Sequence, residues 1–298
     1  MVTVSTPGKL ILFGEHAVVY GTGGIAAAIG RRCQISVQPF DRNVVESPFS
    51  TRVTLDAIDI VKEALNVDQN LYVKIDSSIP IASGLGSSAA LSVALSGALH
   101  QLTGRFDLES VNKVAYEVEE MFHGKPSGID NTTCCYGGAI YYRKPNFQML
   151  KIPKLNVLLA YTKRPKKSTR ELVSQVAELD PSYRDPIIRE IGHIVEMAKS
   201  ALINGDEPMI AKLIDKNQEL LKKLGVSSPE IDELVDALKG AASGKLCGAG
   251  GGGVVWILPK DREKTIEILE SLGYKNGVGE MSYWEEMLGE EGVRIEEK

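Results

Sequence analysis

Residues Pro80-Ile-Ala-Ser-Gly-Leu-Gly-Ser-Ser-Ala-Ala-Leu91 decide how this chain is read. Two glycines and three hydroxyls crowd a short loop. The chain then runs straight into Ala89-Ala-Leu-Ser-Val-Ala-Leu-Ser-Gly-Ala-Leu99, a run of good helix formers. A loop of small residues opening a helix presents free backbone N–H groups at the positive end of the helix dipole. That is a seat for an anion such as a nucleotide phosphate. Glycine allows close backbone approach, and the hydroxyls of Ser83, Ser87 and Ser88 can hold a phosphate oxygen or a metal. The competing reading is a tight turn packed with small residues; the first reading points to phosphate chemistry.

The rest of the chain bounds what such a site could belong to. Its 298 residues are enough for two domains of ordinary size, and 43% apolar with 24% charged residues is a globular composition. A net charge of −5 argues against general affinity for nucleic acid or for an anionic membrane. A phosphate site must then be local, built from backbone amides, a few lysines and a metal. Cys33, Cys134, Cys135 and Cys247 show no CxxC spacing, so reduced, buried thiols are the simpler reading. No segment has the apolar length of a membrane span, and the N-terminus lacks the pattern of a signal peptide, so a cytoplasmic protein is expected.

Val2 to Ser5 and Leu10 to Phe13 read as short strand pieces around Pro7-Gly8, and alternation places strands at Ile35 to Gln38 and Leu71 to Asp76. Helical periodicity runs over Thr54 to Asn66, Ala89 to Leu102 and Leu108 to Phe122, the last after a capping Asp107. Gly138 to Arg143 reads as a closing strand, and Lys144 to Lys154, with two prolines, as a boundary. Beyond it come a buried strand at Leu155 to Tyr161 and helices over Ser168 to Leu179, Arg184 to Asn204, Asp206 to Leu224 and Pro229 to Ala241. A strand at Val254 to Leu258, a helix at Arg262 to Leu272 and a final strand after Tyr274 complete the pattern. Strands and helices without regular βαβ alternation predict an α+β fold, divided at 1–153 and 154–298.

Three further clusters carry chemistry. Gly248-Ala-Gly-Gly-Gly-Gly253 matches GxGxxG, as Gly84-Leu-Gly-Ser-Ser-Ala89 matches GxGxxA, but neither follows the first strand of a βαβ unit. Gly240-Ala-Ala-Ser-Gly-Lys245 also misses the P-loop spacing. A loop so rich in glycine is costly to order, so either something approaches its backbone closely or it is a flexible linker. In Pro7-Gly-Lys-Leu-Ile-Leu-Phe-Gly-Glu-His16, an apolar run delivers Lys9 at one end and Glu15 and His16 at the other. In Glu119-Glu-Met-Phe-His-Gly-Lys-Pro-Ser-Gly-Ile-Asp130, a helix ends and a turn presents Asp130, while Glu119 could reach Mg²⁺. Asp130 alone could equally be a helix cap.

In these four stretches, and in their order, the chain resembles the GHMP small-molecule kinases; Gly14-Glu-His-Ala-Val-Val-Tyr-Gly21 is the form found in the mevalonate kinase family. The resemblance implies an N-terminal domain like ribosomal protein S5 domain 2 and a ferredoxin-like C-terminal domain, with the active site between them. It implies transfer of phosphate from ATP to the 5-hydroxyl of mevalonate, with Mg²⁺. On that pattern Pro80, Ser83, Gly84, Leu85, Gly86, Ser87, Ser88, Ala89 and Ala90 cradle the ATP phosphates. Ser88 and Glu119 match the metal ligands, Asp130 the residue that accepts or orients the hydroxyl proton, and Lys9 its ionic partner. Glu15, His16, Ser127, Thr169 and Gly250 match positions near the substrate, although Lys166 and Lys167 stand where an arginine is common. A homodimer is an expectation by analogy. The alternatives are a kinase of the same fold acting on phosphomevalonate or on the 3-hydroxyl of mevalonate, and a ligand sensor without catalysis.

Overall fold

The structure, a computed structural model, describes residues 1–297. It opens with two long antiparallel strands, β1 (Val2–Phe13) and β2 (Gly24–Pro39), joined through a short helical turn at Ala17–Tyr20. Then come β3 (Val44–Glu46), α1 (Thr51–Leu65), β4 (Leu71–Ser77), α2 (Ser87–Leu102), α3 (Leu108–His123), α4 (Ile129–Tyr136), β5 (Ala139–Arg143) and β6 (Asn146–Leu150). The first sheet runs β3-β4-β2-β1, and the other end of β2 pairs with β5, which pairs with β6. Opposite β1, one sixteen-residue strand thus serves two further neighbours, β4 through Cys33–Pro39 and β5 through Gly24–Ala27.

The second half contributes β7 (Asn156–Tyr161), α5 (Thr169–Ala177), α6 (Pro181–Asn204), α7 (Glu207–Lys223), α8 (Pro229–Leu238), β8 (Ala242–Leu246), β9 (Val254–Pro259), α9 (Arg262–Ser271), β10 (Lys275–Asn276) and β11 (Ser282–Met287). These strands form a second sheet in the order β10-β11-β7-β9-β8. The chain then returns: β12 (Arg294–Ile295) pairs with β1 and completes the first sheet. The fold is mixed α+β.

Its packing centre is α2. Every residue from Ala89 to His100 is buried, so the helix is enclosed on all sides rather than amphipathic. It lies on β1 and β2 and is covered by α1, α3 and α4. That enclosure requires small residues, and Ala, Ser and Gly supply them. A Cβ at Gly97 would come within 3.2 Å of Val4. The core is continuous across both sheets, with Phe13 of β1 set edge-on to Trp256 of β9 at 6.0 Å.

Several sequence expectations need adjusting. Pro7-Gly8 does not split the first strand; β1 passes through with a register shift between Pro7 and Lys9. The helix expected from Ala89 begins at Ser87, so Ser88 lies inside its first turn. The stretch 144–154 carries β6, which folds back on β5 as a hairpin. The helix expected to reach Ala241 stops at Leu238, and Ala242–Leu246 forms an edge strand that the apolar pattern did not single out. The reason is local: Lys239-Gly240 turns the chain, with Gly240 at φ +89.

Candidate active site

Lys9 is the hub. It sits in β1 just past the register shift, 2% exposed, and its backbone N–H donates to Leu85 O at 3.0 Å. Its ammonium donates to Gly84 O at 3.1 Å and pairs with Asp130 Oδ2 at 3.2 Å. Burial works against the ammonium, but Asp130 and neighbouring thiols more than offset it, and the Lys9 pKa lies above its ordinary value. The loop that opens α2 is therefore fastened to β1 by the same residue that reaches the carboxylate.

Within that loop, Ser83 Oγ donates to Pro80 O at 2.7 Å, and Leu85, Ala89 and Ala90 are fully buried. Gly86 precedes α2 in the left-handed region, and no side chain caps the helix, whose first-turn amides at Ser87, Ser88 and Ala89 lack helical acceptors. Ala82 also has positive φ, +57, an uncommon conformation for a residue with a Cβ. A Cβ on Gly84 would lie 2.7 Å from Cys247 O, so only glycine lets the two glycine-rich loops touch there. They are stitched again where Val254 N donates to Ser83 O at 2.9 Å.

Asp130 enters from α4. The turn before it is held by Tyr116 Oη on Pro126 O and Tyr142 Oη on Ser127 O, at 3.1 and 2.8 Å. Gly128, at φ +93, begins the helix, and a Cβ there would clash with the Tyr142 hydroxyl. The Ser127 hydroxyl accepts from Ile129 N within this turn. Across from Asp130, α3 presents Glu119, 1% exposed. Ser92 Oγ donates to its Oε1 at 3.0 Å, and Ser88 Oγ lies 3.5 Å from its Oε2. His123, one turn further on, places Nε2 3.1 Å from Ser88 Oγ and 3.6 Å from Glu119 Oε2. Burial, then the charge of Asp130, pushes the Glu119 carboxyl up to about 8; burial holds His123 below its ordinary value. A buried acidic side chain near Asp130, with hydroxyls and an imidazole beside it and the Lys9 ammonium on the far carboxylate, suits a divalent cation, and Asp130 Oδ1 is itself buried and unpartnered.

Glu15 and His16 form the opposite corner. His16, at φ +59, has Nε2 2.9 Å from Ala249 O in the second glycine loop, and burial lowers its pKa. The Glu15 carboxylate is paired with the ammonium of Lys245, both fully buried. Burial still holds Glu15 above its ordinary value, Lys245 offsetting only part of the effect. Glu15 Oε2 and His16 Nδ1 are buried without a partner. Between the loops opens a cavity of about 400 Å³, whose walls include Ala82, Ser83, Gly84, Thr169, Ala249 and Gly250. Lys9, Asp130, Glu15 and His16 do not line it; Lys9 and His16 reach its walls by hydrogen bonds to Gly84 and Ala249. Ser88 and Glu119, on α2 and α3, do not line it either. Of the expected residues, Ser83, Gly84, Thr169 and Gly250 share the cavity wall, Lys9 joins Gly84 to Asp130, and Ser88 lies beside Glu119. Lys245, Ser92 and His123 had been given no role.

Open helix amides beside a lysine–aspartate ion pair and a second, buried acidic side chain are groups that moving a phosphoryl group onto a small molecule can use, and the class they point to is that of the small-molecule kinases. The family model for the GHMP kinases N terminal domain matches residues 52–138, and that for GHMP kinases C terminal matches residues 198–278. A mevalonate kinase of Thermococcus gammatolerans is 34% identical over 99% of this chain and 98% of its own. One of Archaeoglobus fulgidus is 34% identical over 98% and 99%. The crystal structure of the Methanococcus jannaschii mevalonate kinase superposes with a TM-score of 0.82 at 30% identity, covering 97% of this chain and 98% of that one. A Lactococcus lactis galactokinase, 17% identical with a TM-score of 0.80 over 98% of this chain and 94% of its own, shares the fold. The chain belongs to the mevalonate kinase family of the GHMP kinases.

Proposed function

We propose that the protein transfers the γ-phosphoryl group of ATP to the 5-hydroxyl of mevalonate. The observation that carries this reading is the ion pair between buried Lys9 and partly exposed Asp130, 3.2 Å apart, tied by Lys9 to the loop that opens α2. ATP use follows from the kinase family, and the Leishmania major mevalonate kinase, 29% identical with a TM-score of 0.82 over 97% of this chain and 96% of its own, was solved with R-mevalonate.

The amides of Ser87, Ser88 and Ala89 and the backbone of residues 83–86 bind the phosphates. Ser88 and Glu119 would hold Mg²⁺, which would supply positive charge beside the phosphates. Asp130 receives or orients the proton of the substrate hydroxyl as its oxygen bonds to phosphorus and ADP leaves. Lys9 keeps Asp130 aligned and adds positive charge beside the loop. Glu15, His16, Ser127, Thr169 and Gly250 surround the substrate, whose polar groups supply partners for Glu15 Oε2 and His16 Nδ1. The division into units at 1–153 and 154–298 is part of the same proposal, with β12 as the strap that crosses back. No described helix is long and apolar enough to cross a membrane.

ADP release measured with Mg²⁺-ATP and mevalonate, phosphomevalonate, homoserine or galactose tests the proposal. Turnover confined to mevalonate supports it. Turnover confined to another alcohol overturns the substrate while keeping the class.

A further inference from the structure

His123 closes the hydrogen bonding around Glu119, yet neither the phosphate seat nor the Lys9–Asp130 pair uses it. A serine hydroxyl has one proton and two lone pairs. To ligate a cation, Ser88 Oγ must turn a lone pair toward it and send its proton elsewhere. Two acceptors lie within reach, His123 Nε2 at 3.1 Å and Glu119 Oε2 at 3.5 Å. Glu119 is the poorer one. Its Oε1 lies 3.0 Å from Ser92 Oγ, whose single proton also has Ser88 O within reach at 2.9 Å, and an Oε2 occupied by the Ser88 proton gives up electron density that the cation needs. His123 follows Glu119 by four residues on α3, so both side chains rise on the same helix face. Its ring is 27% exposed, and Ser88 is its hydrogen-bond partner among the described residues, so the histidine does not serve to satisfy a buried core.

We propose that His123 is a positioning residue: as the neutral ring it accepts the Ser88 proton at Nε2, leaving the Ser88 oxygen and Glu119 free to face a divalent cation together. The inference rests on the reading that Ser88 and Glu119 are the metal ligands. It adds the group that sets the rotamer of one ligand and keeps the proton off the other. Partners behind the ligands of this kind change metal affinity about 10- to 100-fold when removed.

The test is Mn²⁺ binding to the protein saturated with a non-hydrolysable ATP analogue, read from free Mn²⁺ by electron paramagnetic resonance. His123→Phe keeps a flat ring and removes the acceptor; Mn²⁺ affinity should fall about tenfold. His123→Gln offers an amide oxygen and should restore most of the loss. A histidine that only packs against Phe122, 6.2 Å away between ring centres, would give the opposite ranking. Glu119→Gln separates the inference from its foundation. If neither Glu119→Gln nor His123→Phe weakens Mn²⁺ binding, the metal site itself is misread. If Glu119→Gln weakens it and His123→Phe leaves it within twofold of wild type, His123 has no such role. A loss in His123→Phe that His123→Gln does not recover also overturns the inference. The ring lies at the end of a helix, partly exposed, so each variant should fold, which circular dichroism checks.

Discussion

Replacing Glu119 by glutamine should stabilise the metal-free protein at neutral pH, because the native fold holds there a carboxyl that resists ionising. The group is 1% exposed and pushed up to about 8, first by burial and then by the charge of Asp130. In the unfolded chain it ionises near 4.5. Between those values the native state retains a proton that the unfolded state has released, so stability falls as pH rises through the window. At about 1.4 kcal/mol per pKa unit, going from about pH 5 to about pH 7.5 costs the wild type roughly 3 kcal/mol through this group alone. Above the folded value the loss levels off. Glutamine keeps the shape and an acceptor for Ser92 but has no proton to lose. Every other titrating group is common to both proteins, so the difference between their curves isolates position 119. Urea unfolding in the presence of EDTA across this range measures it. Glu119→Gln should show a stability that declines less with pH, by roughly 3 kcal/mol over the range. Parallel curves would refute the reasoning, since they would mean that Glu119 ionises as readily in the fold as out of it.

Other consequences are as direct. Asp130→Ala should lower kcat by about 10²- to 10⁴-fold in the coupled assay while leaving the KM for ATP within a few-fold; near-normal turnover would remove Asp130 from the chemistry. Gly84→Ala places a Cβ 2.7 Å from Cys247 O at φ +90 and should cost about 1–3 kcal/mol in chemical unfolding, with weaker nucleotide binding. Leu91, 1% exposed at the start of α2, should cost about 2–5 kcal/mol when cut to alanine, read from the shift in the denaturation midpoint.

Much of the candidate site is legible in the sequence because its parts are local. The glycine- and serine-rich loop before α2, the strand carrying Lys9 and the turn before Asp130 are each written in a few contiguous residues. What was not legible depends on pairing across the chain. Lys245 and Glu15 are 230 residues apart, and nothing near either one names the other. Strand β8 was missed because Ala242-Ser-Gly-Lys-Leu246 is held by pairing to β9 and by α7 and α8, not by its own propensity. β12 escaped for the same reason: two residues become a strand only because β1 offers a free edge. β2 extends well before the alternating stretch at 35–38 because Ala26, Ala27 and Ala28, weak strand formers alone, lie between β1 and β5. The His123 contact with Ser88 spans 35 residues and needed the α2–α3 packing to become visible.

The most direct test of the central claim is the product of the wild-type enzyme with Mg²⁺-ATP and mevalonate, followed by ³¹P and ¹³C NMR. Phosphate bonded to the 5-oxygen, formed with stoichiometric ADP, is the expected result. ADP-coupled phosphorylation at the 3-hydroxyl, or no product although ATP binds, would contradict the account.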